Sequence, residues 1–324
     1  MKAAICRRYG PPSVVTIEDR PDPSPAKGEV VIAIEAAGLT SADARIRAAR
    51  APAGFAPFIR LAFGLTNPRR PVLGREYAGR VVALGDGVSR FRLGDEVFGI
   101  TDGMRLGAHA ERVAVRADGL IRTRPDGMIV PEAAAFFFGG LTAADFLLDQ
   151  CKLQPGERLL VVGATGAVGS AAVQIAHHHG AHVTALASKA NLELARKLGS
   201  DEALDYRLDA AMGPFDVILD VPGVLPNALA RLAPGGRLGL VTASLGQLLG
   251  AMIRPRRDSD CRICANVIKE TPEAMARLIA LYTAGSYRPL LGESFSLAEI
   301  VRAHAAADSG HKVGNVTIRM PKIQ

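Results

Sequence analysis

The sequence predicts an α/β protein in which a doubly wound parallel sheet, carried by the middle of the chain, is joined to a partly open β-barrel built from its two ends. Three observations predict this. Strand and helix signals alternate between Arg158 and Thr242, as in βαβ units. Short strands with frequent Gly turns occupy the stretch before residue 124. The alternation stops after residue 268, so the tail reads as chain returning to the first domain. The 324 residues suit two domains at roughly 100–200 residues each. The expected limits are 1–124 with 269–324 for the barrel and 125–268 for the parallel sheet.

In the first part, Val30–Glu35 is a β-branched run ending near Gly38. Tyr77–Leu84 is a second strand, broken by the turn Gly85-Asp86-Gly87, and Gly94-Asp95 precedes a third at Glu96–Gly99. Pro131–Gln150 is Ala-rich with helical spacing. The alternating part follows: strand Arg158–Val162, helix Ser170–His179 stopped by Gly180, strand His182–Ala187, helix Asn191–Leu198 stopped by Gly199. It continues with strand Phe215–Val221, helix Leu225–Leu232, and strand Arg237–Thr242 entered through Pro234-Gly235-Gly236. These strands are apolar throughout, which fits burial on both faces. The tail holds a helix at Pro272–Ala284 and a final strand at Val313–Arg319. Ala48–Asn67 and Ser244–Ser259 read as loops or short helices.

Composition narrows the function classes. Hydrophobic residues make up 48% and charged residues 22%, as in a globular protein with a large core. No apolar run approaches the roughly 18–20 residues of a membrane span, and the first residues lack the apolar core of a signal peptide. Cys6, Cys151, Cys261 and Cys264 are too sparse for a disulfide framework. The expectation is a cytoplasmic protein. The net charge of +7 is spread along the chain without a nucleic-acid module, so it reads as a solvated basic surface, and an anionic cofactor also suits it.

The most informative stretch is Leu159-Leu160-Val161-Val162-Gly163-Ala164-Thr165-Gly166-Ala167-Val168-Gly169-Ser170. A buried strand runs into a glycine-spaced turn and then a helix, the arrangement of the Rossmann dinucleotide fold. One glycine permits the tight turn, the next lets backbone approach a pyrophosphate, and the third allows close helix–strand packing. The helix N-terminus offers free N–H groups to the phosphates. NAD-preferring enzymes place an acid at the end of the next strand, to bond the ribose 2′-OH. Here no Asp or Glu lies between Glu157 and Glu193, and Ser188-Lys189 follows the strand. A hydroxyl and an ammonium bond a 2′-phosphate, so the expected cofactor is NADPH, with Gly163 to Val168, Ser188 and Lys189 as its contacts.

These features resemble the medium-chain dehydrogenase/reductase superfamily. The matching segments are Gly28-Glu29-Val30, Ala36 to Asp43, Leu73 to Val81, Gly94 to Gly99, Gly107 to Glu111, Gly140-Leu141-Thr142-Ala143, the glycine turn, Glu202 to Tyr206 and His311-Lys312-Val313-Gly314. The resemblance covers nearly the whole chain. It implies a GroES-like N-terminal β-domain, a homodimer, Thr142 beside the nicotinamide, and Ser188, Lys189 and Tyr206 around the 2′-phosphate. Zinc-dependent members carry a ligand cysteine after the Gly38 turn and a histidine after the second glycine turn. Those places read Leu39-Thr40-Ser41 and Arg75, and Thr101–His109 contains none of the cysteines of a structural zinc lobe. The chain is therefore similar to the zinc-independent quinone oxidoreductase branch. It departs from that branch at Thr40-Ser41, where relatives have Asn-Pro, and at Asn315, where a lysine is common.

The expected activity is transfer of hydride from NADPH to a quinone or to the β-carbon of an α,β-unsaturated carbonyl, without zinc, with a proton from solvent or a cofactor hydroxyl. Thr40 and Tyr77 are candidate cleft contacts. An NADPH-dependent carbonyl or enoyl-thioester reductase is the second reading, and a catalytically weak NADPH-binding regulatory protein the third. Other motifs have plainer readings. Cys261 and Cys264 lie three apart in an expected strand and point to opposite faces, so they share no metal. His177-His178-His179 is a solvated helix end. Leu248–Ile253, before a basic run, borders the substrate or a dimer interface rather than a membrane. Arg75 and Glu76 read as a structural pair or as cleft-lining residues.

Overall fold

The structure is a computed structural model that describes residues 1–103, 105–207, 213–247 and 261–321. Leu248–Ile253, its basic neighbours and most of Ser244–Ser259 lie outside the described residues.

In chain order the first half contains β1 (Lys2–Cys6), β2 (Val15–Asp19), β3 (Glu29–Leu39), α1 (Ser41–Ala48), α2 (Ala56–Phe63), β4 (Glu76–Leu84), β5 (Glu96–Ile100), β6 (Arg112–Arg116), β7 (Ile121–Thr123), α3 (Val130–Ala134) and α4 (Phe137–Ala144). A π-helical segment, Asp145–Gln150, follows. Then come β8 (Arg158–Val162), α5 (Ala167–His178), β9 (His182–Ala187), α6 (Leu192–Lys197), β10 (Glu202–Asp205), β11 (Phe215–Asp220), β12 (Leu232–Leu240), β13 (Arg262–Cys264), α7 (Pro272–Thr283), β14 (Leu291–Ser296), α8 (Ile300–Asp308) and β15 (Asn315–Arg319). They form two compact units: Met1–Ala51 with Ala56–Phe138 and Leu290–Gln324, and Pro52–Phe55 with Gly139–Pro289.

The first unit is built on the sheet β14-β15-β3-β4-β5-β7, with β6 also paired to β3. β3 is apolar on both faces because it sits inside this curved sheet. It pairs antiparallel with β4, β6 and β15, and Val30, Ile32 and Ile34 are at most 1% exposed. Two register shifts against β4 bend it. The core gathers Leu73, Tyr77, Val97, Ile121, Val316 and Ile318 around these residues. The returning tail thus supplies β14, α8 and β15. The sequence reading contained neither β14 nor α8. The buried stripe of α8 is Ile300, Ala303, His304 and Ala307, correctly spaced for a helix but too small and too polar to stand out.

The second unit is an all-parallel sheet in the order β10-β9-β8-β11-β12-β13. From β8 the chain winds outward through β9 and β10, then crosses back to β11 on the other side. This puts a topological switch point at the C-terminal ends of β8 and β11. Two sequence expectations are corrected. Leu225–Leu232 is not a helix; only Ala228–Arg231 forms a 3-10 turn, because Asn227 adopts a left-handed conformation (φ 51°) and Leu232 already belongs to β12. Pro131–Gln150 is not one helix. Ala135 leaves the helical region after α3 (φ −116°, ψ 15°), and α4 begins afresh with the Phe137 and Phe138 amides bonded to the Glu76 carboxylate.

Candidate cofactor turn and buried polar cluster

The glycine turn has the geometry that its spacing requires. Gly163 is left-handed (φ +76°), and its amide and that of Ala164 donate to Leu186 O on β9, at 3.1 and 3.2 Å. Gly166 caps α5, and the first intrahelical bond runs from Ser170 N to Gly166 O at 2.9 Å. The amides of Ala167, Val168 and Gly169 precede that bond and face outward at the positive end of the helix. A Cβ at Gly169 would lie 2.1 Å from Gly163 O, whereas one at Gly166 would be at an ordinary 3.5 Å. Gly169 is thus the packing glycine, and Gly166 leaves open approach to the amides. Thr165 is 7% exposed, and its Oγ1 accepts from Asn191 Nδ2 at 3.4 Å.

At the end of β9 the sheet register gathers the other residues expected around the cofactor. β10 pairs parallel to β9 with Asp205 opposite Ala187, and Tyr206 N donates to Ala187 O at 3.1 Å. Ser188 and Tyr206 therefore leave adjacent strands side by side. Lys189 opens the next turn and is exposed, as is Tyr206 at 48%. Arg207, which sequence reading missed, stands over the Tyr206 ring at 5.7 Å and adds a second cation. Asp205 is buried, and its Oδ1 accepts from Arg207 N at 3.1 Å.

Thr142 lies on α4, 5% exposed. It sits three residues past Gly139, where a Cβ would stand 2.5 Å from Ala167 O. Only glycine lets α4 press on the first turn of α5 there, which brings Thr142 to the same helix face. Asp220, also missed, ends β11 at the switch point. Its carboxylate accepts from Gly223 N (2.9 Å) and Leu225 N (2.8 Å), shaping the loop whose Pro222 packs against Gly163. Burial raises its pKa, opposed by those backbone donors.

The first unit holds a separate cluster of buried polar groups around Gly38. Thr40 N and Oγ1 both donate to Asp43 Oδ2, at 2.8 and 2.7 Å, and Asp43 N donates back to Thr40 Oγ1 at 3.3 Å. This is the capping box of α1, legible in the sequence as Thr40-Ser-Ala-Asp43. The Thr40 hydroxyl is thereby engaged, and Thr40 is 7% exposed. Asp43 Oδ1 accepts from Gly74 N at 3.1 Å, and His109 Nε2 lies 3.0 Å from Gly38 O. Glu76 is 2% exposed, its Oε1 accepting from Phe137 N (2.7 Å) and Phe138 N (2.8 Å). Burial is the main reason its pKa rises to about 7; the two amides and Arg75 oppose the rise, and Asp43 adds to it. Half-buried Lys312 is pushed down by burial, against the pull of Asp43 and Glu76. Tyr77 is 0% exposed, in the core rather than at a surface, and its buried hydroxyl has no partner among the described residues. Burial raises its pKa too.

Arg75 donates through Nη2 to Thr101 O at 3.0 Å. A guanidinium has donors only and is no metal ligand. With Arg75 and Thr40-Ser41 at the ligand places, the residues present do not fit a catalytic zinc ion. Among the described residues no three His, Cys, Asp or Glu side chains are grouped to hold a metal. Asn315 turns its Nδ2 to Leu290 O, at 3.0 Å.

Comparison with known proteins matches residues 26–125 to the alcohol dehydrogenase GroES-like domain and residues 198–318 to a domain described as zinc-binding dehydrogenase. The chloroplastic quinone-oxidoreductase QR1 of Triphysaria versicolor is 28% identical over 317 residues, covering 92% of each chain. The chloroplastic NADPH-dependent alkenal/one oxidoreductase of Arabidopsis thaliana is 27% identical, over 98% of this chain and 79% of its own. The solved quinone oxidoreductase of Coxiella burnetii superposes with a TM-score of 0.87 at 26% identity, over 99% of each chain.

Proposed function

We propose, for a chain that belongs to the medium-chain dehydrogenase/reductase superfamily and to its quinone oxidoreductase-like branch, an NADPH-dependent reduction of quinones or α,β-unsaturated carbonyls without zinc. The observation that carries this reading is the grouping of Ser188, Lys189, Tyr206 and Arg207 beside the Gly163–Gly169 turn, with no acid ending β9. When bound, NADPH supplies the hydride; the chain supplies binding, orientation and exclusion of water. The amides at the start of α5 hold the pyrophosphate. Ser188, Lys189 and Arg207 hold the 2′-phosphate, where an aspartate would repel it. Thr142, beside the α5 N-terminus, orients the nicotinamide end. Reduction of a quinone or enone by hydride needs no Lewis acid at a carbonyl if the acceptor carbon is held in near-attack geometry. The alkenal/one and quinone reductases among the relatives support this acceptor class. We also propose a homodimer, as in the family the chain resembles.

Cofactor fluorescence tests the assignment by comparing NADPH and NADH on the wild type and Lys189→Ala. Tighter binding of NADPH, reduced at least tenfold in the variant with NADH little changed, is the expected result. Equal affinity for the two cofactors would remove the 2′-phosphate reading. NADPH oxidation with a panel of quinones, enones, aldehydes and acyl thioesters then separates the acceptor classes.

A further inference from the structure

Two of the four cysteines meet inside the second unit. Cys151 caps the π-helical segment, its amide donating to Phe146 O at 2.8 Å. Cys264 ends β13, the strand at one end of the order β10-β9-β8-β11-β12-β13. Sheet register brings the two together. Gly239 of β12 pairs with Cys264, so both residues present the same face. A Cβ at Gly239 would stand 3.3 Å from Cys151 Sγ, and the glycine leaves the room that this sulfur fills beside Cys264. Cys264 Sγ donates to Gln150 O at 3.3 Å, and the Cys151 thiol donates to the Cys264 sulfur. The Gln150 side chain pins the same two segments: Nε2 donates to Asn266 O at 3.2 Å, and Oε1 accepts from Asn266 N at 3.1 Å. Cys261 packs on the other face, with Leu238 and Ile263, its Sγ 3.6 Å from Ala233 O. Both paired thiols are 1% exposed. The bond from Cys151 draws the Cys264 thiol below its ordinary pKa, against burial and with help from Arg262 and Arg237, and Cys151 is pushed up in return.

We infer that Cys151 and Cys264 form a redox-active dithiol, a modification site that hydrogen peroxide converts into a disulfide within the native fold. β13 has only three residues and ends the sheet, and such elements open locally enough to admit a molecule scarcely larger than water. The Cys264 thiolate attacks one peroxide oxygen. The O–O bond breaks, hydroxide leaves and takes up the thiol proton as water, and Cys264 becomes a sulfenic acid. The Cys151 sulfur gives up its proton and displaces the sulfenic hydroxyl as a second water, forming the S–S bond. Two thiols have then lost two hydrogens, and the peroxide is reduced to water. A small dithiol reverses the step by exchange. The bond closes the chain between residues 151 and 264, a stretch that includes β8 to β12, and so restrains the unfolded state.

Peptide mapping of the whole chain tests the site: hydrogen peroxide is added, remaining thiols are alkylated, and trypsin acts without reductant. Cleavage after Arg262 parts Cys261 from Cys264. The expected product joins the peptide that ends Cys151-Lys152 to residues 263–269, and dithiothreitol undoes it. Cys6→Ser and Cys261→Ser are expected to keep this product. In Cys151→Ser the sulfenic acid on Cys264 has no thiol to resolve it, and dimedone is expected to label that residue. A bridge to Cys6 or Cys261, sulfinic acids with no bridge, or full alkylation of both thiols after peroxide would each overturn the inference. Thermal unfolding adds a second readout. Oxidised wild type is expected to unfold at a higher temperature than reduced, a difference absent from Cys151→Ser. No upward shift would mean that the bond forms only where native packing is lost, and would also sink the inference.

Discussion

At the scale of single residues, Glu76 is the group whose chemistry the fold alters most visibly. It is buried beside Asp43, with Arg75 and Lys312 as the nearby cations, and its pKa rises to about 7. For a carboxyl, a raised folded-state pKa means that the native state holds its proton more tightly than the unfolded chain does. Its cost to stability is absent below the unfolded value of 4.5 and grows as pH climbs toward about 7. The slope is at most about 1.4 kcal/mol per pH unit from this one group. Glu76→Gln keeps an oxygen for the Phe137 and Phe138 amides and removes the charge. Chemical denaturation is expected to find the variant equal to wild type near pH 4.5 and more stable above pH 7. A difference that stays constant across that range would mean Glu76 does not titrate there. Other carboxylates, such as Glu157 and Asp149, are shifted down by arginine partners and give the opposite slope. They cancel in the comparison because both proteins carry them.

At the scale of elements, the turn into α5 was the most legible part of the chain, and its glycines make separable predictions. Gly169→Ala drives a Cβ to 2.1 Å from Gly163 O, so helix and strand must part. It is expected to cost about 1–3 kcal/mol by overpacking and to abolish cofactor binding with it. Gly166→Ala meets nothing closer than 3.5 Å and has an ordinary φ of −79°. It is expected to leave stability within about 1 kcal/mol while losing NADPH affinity, because under the proposed function the added methyl stands where the pyrophosphate would approach. Thermal unfolding with and without cofactor distinguishes the two; equal losses of stability would contradict this division of labour. The parallel strands were legible for the same reason as the turn: they are apolar runs bounded by glycines. Less legible elements depend on distant groups. The break between α3 and α4 rests on a carboxylate some sixty positions upstream in the chain, Glu76, and α8 hides its buried face in alanines. Local periodicity carries neither signal. The same holds at the site: Thr40 and Asp43 announce a cap by their spacing, whereas Arg207 and Asp220 gain their places only through strand register.

At the scale of the whole molecule, the net charge of +7 acts on any anion that approaches. Basic residues are spread along the sequence instead of forming a run, so their effect is a general field more than a docking patch. NADPH carries more negative charge than NADH, by its 2′-phosphate, and should be drawn in faster. Screening shortens the reach of that field to about 10 Å at 0.1 M salt. Stopped-flow association is therefore expected to slow several-fold for NADPH between about 20 and 300 mM salt, and less for NADH. Lys189→Ala removes one charge of the total, at the proposed point of contact. The global field predicts that it barely changes the salt dependence of the association rate, while the local contact predicts a faster dissociation. If the variant instead flattens the salt dependence and leaves dissociation alone, Lys189 acts by steering the cofactor inward and not by holding its phosphate.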